Sequence, residues 1–78
     1  MQTKMKIRLV DIDKIKKFMD MVNTFESDID LSKDRYVIDA KSTIGIFTLN
    51  LSHPVNVEIH SNDKDEIKRF NEMMEEFV

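Results

Sequence analysis

The side chains able to carry chemistry in this 78-residue chain are few and scattered. Cysteine is absent, which removes a thiolate nucleophile, a thiolate metal site and any disulfide. The two histidines stand apart: His53 in a turn ahead of Pro54, and His60 on the polar side of Val55-Asn56-Val57-Glu58-Ile59-His60. Asp11 and Asp13 flank Ile12 where the residue pattern changes, and Asp11 is placed to accept from the free backbone amides of a helix start. The most distinctive hydroxyl is Ser42, inside Ala40-Lys41-Ser42-Thr43-Ile44-Gly45-Ile46-Phe47, which also holds the only glycine. A serine at a helix start caps it. A phosphate on the same oxygen would accept from the free amides and be favoured by the helix dipole, with Lys41 adjacent in sequence.

The elements that must position these groups follow from periodicity. Lys4 to Val10 alternates, with Met5, Ile7 and Leu9 on one side, as a strand with one buried face does. From Ile12 the spacing turns helical: Ile12, Ile15, Met19 and Val22 form a stripe that Phe18 widens. Ser27 to Leu31 and Arg35 to Asp39 read as strands around a polar turn, Ser32-Lys33-Asp34. Val55, Val57 and Ile59 alternate in a last strand after Ser52-His53-Pro54. A final helix starts near Asp63, where Glu66 gives an acidic capping box, and buries Ile67, Phe70, Met74 and Phe77.

Residues 43 to 51 fit two states. As a strand, Ile44/Ile46 and Leu49/Leu51 alternate. As a helix, Ile46 and Leu49 share one face while Ile44, Phe47, Thr48 and Leu51 share another. Gly45 would cost that helix about 1 kcal/mol relative to alanine, so a compensating reason is expected there, such as close approach of another backbone. The remaining strands each have one apolar and one polar face, which suits an antiparallel sheet covered on one side. Helices on that side make a two-layer α+β sandwich.

Composition narrows the function classes. A net charge of -3 argues against a dedicated nucleic-acid binder, whose affinity rests on neutralising phosphates. The charge is uneven, basic through Lys4, Lys6, Arg8, Lys14, Lys16 and Lys17, and acidic from Asp63 onward. Such a division gives two solvated faces of opposite sign, or a basic edge that docks an acidic partner or a phosphoryl group. No apolar run approaches the ~18 residues of a membrane span, and Met1-Gln2-Thr3-Lys4 has no signal-like apolar region. The expectation is one cytoplasmic domain over residues 1–78, with no linker, repeat, cofactor or metal.

Several segments resemble HPr, the small phosphocarrier of the bacterial sugar phosphotransferase system. Phe25-Glu26-Ser27-Asp28-Ile29 is similar to the end of that family's first helix and the start of its second strand. Asp39-Ala40-Lys41-Ser42 followed by Ile44-Gly45-Ile46 is similar to its regulatory serine site and short second helix, with Leu49 in register. The resemblance implies an open-faced βαββαβα sandwich, a four-stranded antiparallel sheet in order 1-4-2-3 with three helices on one face. It also resolves residues 43–51 as helix. It makes Ser42 the target of an HPr serine kinase, and Ile44, Phe47, Thr48 and Leu51 a protein-binding surface flanked by Lys14 and Lys17.

The chain departs from the family at the catalytic end. Phosphocarriers open their first helix with a Gly-Leu-His-Ala-Arg-Pro-like motif, whose histidine accepts the phosphoryl group. At the family's spacing from Ser42, Asp11 stands for that histidine and Asp13 for the arginine, within Leu9-Val10-Asp11-Ile12-Asp13-Lys14. An aspartate repels a phosphoryl group that an arginine would clamp. The resemblance therefore implies a protein without enzymatic activity or phosphocarrier competence. Its partners would be proteins: phosphotransferase-system components or the serine kinase. The alternatives are a carrier with a relocated acceptor, His53 or His60, and a structural or oligomerising domain joined through Phe47.

Overall fold

The computed structural model describes residues 2–49 and 51–78. Its elements run β1 (Lys4–Ile7), α1 (Ile12–Val22), β2 (Asp28–Lys33), β3 (Tyr36–Asp39), α2 (Thr43–Ile46), β4 (Val55–His60) and α3 (Lys64–Met74), closed by a 3₁₀ turn, Glu75–Phe77. The four strands form one antiparallel sheet in the order β1-β4-β2-β3. Alternation decides which side is covered. Ile7, Ile29, Leu31, Val55, Val57 and Ile59 are buried, and Met5 and Ile38 pack against them. Lys4, Lys6, Asp28 and His60 lie on the other face and are exposed.

The helices supply the second layer. α1 contributes Ile15, Phe18 and Val22, and α3 contributes Phe70 and Met74, continued by Phe77. The aromatic rings meet edge to face, Phe18 with Phe77 at 5.6 Å between centroids and Phe25 with Phe70 at 6.2 Å. Each such fully buried side chain contributes ~1.5–3 kcal/mol of transfer free energy. Such contributions matter in a chain short enough to bury only roughly 60% of its unfolded surface.

The structure changes several expected boundaries. β1 ends at Ile7 because the next amide, that of Arg8, donates to the Phe77 carbonyl at 2.6 Å instead of to a strand. Leu9 stays buried, while Val10, in phase with the polar side, is 70% exposed. Ile12 opens the helical stripe in sequence yet is 61% exposed, since it follows the cap and lies ahead of the turn that meets the sheet. The hairpin turn is Asp34-Arg35, with Ser32 and Lys33 still paired in β2. Asp34 takes φ 54°, a left-handed conformation that aspartate tolerates better than most residues.

The segment with two readings is helical, but briefly. α2 spans only Thr43–Ile46. The amides of Phe47 and Thr48 then bond three residues back, to Ile44 and Gly45, and the Thr48 hydroxyl also donates to the Gly45 carbonyl at 2.6 Å. These bonds tighten and end the turn. A continuous helical face from Ile44 to Leu51 is therefore not formed, although Ile46 and Leu49 share the core as the helical reading requires. Asn50, within that segment, lies outside the described residues.

Candidate functional site

Two helix starts hold the side chains singled out by sequence. At α1, Asp11 has extended backbone (φ -153°, ψ 175°), and its Oδ1 accepts from the Lys14 amide at 2.8 Å. Its carbonyl accepts from the Ile15 amide at 3.0 Å, the first helical bond. Asp13 follows in the first turn, exposed. Both carboxylates are favoured there by the positive end of the helix. Asp11 thus caps the helix as its sequence position predicts.

At α2, Ser42 has φ -84° and ψ 111°, and its Oγ accepts from the Gly45 amide at 3.1 Å. The entry to this cap is fixed by Asp39, whose carbonyl takes the Ser42 amide at 3.0 Å and whose carboxylate takes the Lys41 amide at 2.9 Å. Gly45 owes its place to this serine. A Cβ there would lie 3.1 Å from Ser42 Oγ and 3.3 Å from Ser42 Cβ, with the Ile38 side chain next at 3.7 Å. The compensating close approach comes from the capping side chain and not from another backbone. Lys41 is also differently placed: its ammonium donates to the Phe25 carbonyl at 2.7 Å, at the entrance to β2.

The apolar residues assigned to a binding surface divide. Ile44 is 82% and Phe47 57% exposed, and Thr48 is exposed beside them in sequence, whereas Leu51 packs against the core. Lys14 and Lys17, expected to flank this surface, are engaged by the closing 3₁₀ turn. Both ammonium groups meet Glu76, Lys17 at 2.8 Å and Lys14 at 3.6 Å, and Lys14 also lies 5.7 Å from the centre of the Phe77 ring. They are drawn there because α1 packs on the closing turn. The hydrogen bond from Lys17 holds the Glu76 carboxyl below the usual carboxylate range, with the charges of Lys17 and Lys14 adding. Exposed Val10 and Ile12 are apolar surface that the sequence reading missed. Val10 was detectable, since it breaks the polar side of the first alternation.

The histidines are not assembled into a site with these groups. His53 is exposed in the turn before β4. His60, at the end of β4, bonds Asp30 of β2 at 2.6 Å. Among the described residues, neither histidine has an arginine as a hydrogen-bonded or ionic partner. Among the described residues no group of histidine and acidic side chains is arranged to hold a metal ion, and no helix is long and apolar enough to cross a membrane.

A polar cluster absent from the sequence reading joins α3 to the entrance of β2. Asp63 caps α3, its Oδ1 accepting from Asp65 at 2.9 Å and Glu66 at 3.3 Å. Glu66 does not complete a capping box. It accepts instead from the amides of Glu26 at 3.1 Å and Ser27 at 3.2 Å, and from the Ser27 hydroxyl. Arg69 beside it donates to the Thr24 hydroxyl and carbonyl and lies 4.0 Å from the Phe25 ring centre. A cavity of about 420 Å³ opens here, lined by Thr24, Glu26, Asp63, Asp65, Glu66 and Arg69.

The family model described as the PTS HPr component phosphorylation site matches residues 12–78, beginning one residue after Asp11. No curated protein gives a significant match. Two solved structures superpose closely. HPr-C-His from Thermoanaerobacter tengcongensis has a TM-score of 0.74 at 22% identity, over 95% of this chain and 92% of that one. The phosphocarrier protein HPr from Bacillus anthracis str. Ames has 0.75 at 17%, over 96% and 95%.

Proposed function

The chain belongs to the PTS HPr family, and from that premise we propose that it is a member without histidine phosphocarrier chemistry, acting in the cytoplasm as a protein-binding or regulatory module phosphorylated on Ser42. Members of the family are phosphocarriers that work through other phosphotransferase-system proteins. The observation that carries the proposal is Asp11. At the head of α1 it presents a carboxylate already engaged with the Lys14 amide at 2.8 Å, with Asp13 inside the first turn. A phosphoryl group brought there would meet negative charge where the family's motif supplies a histidine and an arginine.

Ser42 is the remaining hydroxyl at a helix start with apolar surface beside it. Phosphorylation would add about -1.5 to -2 charges next to exposed Ile44 and Phe47. That changes what the surface can bind without requiring a new fold. The proposed partners are phosphotransferase-system components and an HPr serine kinase.

The test has two arms. With phosphoenolpyruvate and the first enzyme of the system, the protein should acquire no phosphate. With ATP and an HPr serine kinase, the wild type should be labelled and Ser42→Ala should not. Phosphate found on Asp11, His53 or His60 in the first arm would overturn the loss of carrier chemistry. An unlabelled wild type in the second would overturn the regulatory assignment.

A further inference from the structure

The outer face of the sheet concentrates carboxylates. Strand register places Lys4, Glu58, Asp30 and Asp39 in one row across β1, β4, β2 and β3. In the next row on this face Asp28 of β2 sits opposite His60 of β4. Three neighbouring strands thus set acid against acid, an arrangement that weakens strand pairing when the charges stand directly opposite. Lys4 faces Glu58 at one end of the row, and Lys6 faces uncharged Asn56. At the other end the Asp39 carboxylate takes the Lys41 amide. Asp30, in the middle, has Glu58 on one side and Asp39 on the other.

The group that reaches Asp30 is His60, by a diagonal hydrogen bond of 2.6 Å between Nε2 and Oδ2. An ionised carboxylate only accepts, so Nε2–H donates and Nδ1 takes up the titrating proton. We propose that His60 is a proton-operated brace between β2 and β4. With Nδ1 protonated, its charge offsets the row formed by Glu58, Asp30 and Asp39, together with Asp28 opposite. With Nδ1 free, one hydrogen bond to Asp30 remains, and Lys4 at the far end of the row is the cation still opposite a carboxylate, Glu58.

The direction of the response follows from the surroundings. The hydrogen bond to Asp30 is the main cause that raises the His60 pKa above 6.5; desolvation opposes it, and the charges of Asp30, Glu58 and Asp28 each add a smaller upward push. A histidine whose pKa is higher folded than unfolded stabilises fully below the unfolded value, and the stabilisation disappears as pH rises through the folded value. The brace therefore loosens from about pH 6.5 upward. Because His60 and Asp30 are both partly exposed, salt weakens the effect.

Thermal unfolding of wild type and His60→Gln at low salt, from about pH 5.5 to 9, tests the brace. His60 ring resonances followed by NMR in wild type and Asp30→Asn provide a second reading. The wild type should melt above His60→Gln at the acid end, with the gap closing as pH rises. The ring titration should move to lower pH in Asp30→Asn. A gap constant across the range, or a ring titration unchanged by Asp30→Asn, overturns the proposal. Should His60→Gln fail to fold, the ring titration decides.

Discussion

Replacing Glu66 by glutamine removes one charge from a cluster that ties two elements together. In the wild type the carboxylate receives the amides of Glu26 and Ser27 and the Ser27 hydroxyl, so α3 is fastened to the entrance of β2. Its pKa falls from 4.5 to about 2, first through hydrogen bonds from the hydroxyls of Ser27 and Ser61, with the two backbone amides adding to them. Taken whole, that shift corresponds to ~3 kcal/mol at about 1.4 kcal/mol per unit. The carboxylate is only partly buried, and solvent screening reduces this to about 1–2 kcal/mol. A group with a depressed folded pKa stabilises above its unfolded value and loses that contribution as pH falls through the folded one.

Glu66→Gln should therefore lower the melting temperature at pH 7 by roughly 4–16 °C, since 1 kcal/mol moves a domain of this size by about 4–8 °C. The difference from wild type should shrink below about pH 4.5 and vanish near pH 2. Circular dichroism melts of both proteins across that range measure it. Adding Ser27→Ala to the Glu66→Gln protein should cost less than adding it to wild type, because the two side chains share one interaction. A loss of equal size at pH 7 and pH 2 would refute the electrostatic account and assign the effect to packing.

Three further outcomes are expected. Gly45→Ala should lower the urea midpoint despite alanine's ~1 kcal/mol helix advantage, because the new Cβ presses on Ser42 at 3.1–3.3 Å; in a Ser42→Gly background the same change should raise it. Asp11→Ala should cost about 1 kcal/mol in urea unfolding through loss of the cap to Lys14. Phe47→Asp should change stability by no more than about 0.5 kcal/mol, since the ring is largely exposed, while weakening partner binding on the proposed reading. Sedimentation should give the same mass for Phe47→Asp and wild type; a fall in mass on mutation would instead favour self-association.

The fold was legible wherever one residue pattern had one physical solution. Ile29/Leu31 and Val55/Val57/Ile59 alternate with polar residues and lie in the sheet as read. Phe70, Met74 and Phe77 recur at helical spacing and are buried together. Residues 43 to 51 were different, because Thr43, Ile44 and Ile46 favour a strand locally and the helical reading depended on the family resemblance. What tertiary structure adds there is a Ser42 cap, a 3₁₀-type ending through Thr48, and burial of Ile46 and Leu49. Glu66 was misread for a related reason. Its spacing from Asp63 fits a capping box, but the amides it meets belong to residues 40 and 39 positions earlier in the chain. No local pattern records that approach, and the same holds for the lysines that turn to Glu76.

The two helix starts differ in a way that bears on the proposed division between lost and retained chemistry. Each is capped by the chain's own oxygen, so neither is an open set of amides waiting for an anion. At α1 the oxygen is charged and a second carboxylate, Asp13, stands within a turn. Two unit charges about 4 Å apart repel by ~1 kcal/mol even in water and by more near a protein surface, so an incoming phosphoryl group gains little there. At α2 the oxygen is a neutral hydroxyl, and the carboxylate nearest in sequence, Asp39, already holds the Lys41 amide. A phosphate on Ser42 would not find the Lys41 ammonium waiting, because Phe25 has it. It would draw that ammonium from the entrance of β2 or rely on backbone amides and water. Both routes leave Ile44 and Phe47 exposed beside new negative charge. On the proposed reading, the signal is therefore a change in the charge of a binding surface, made at a helix start whose capping oxygen is a neutral hydroxyl.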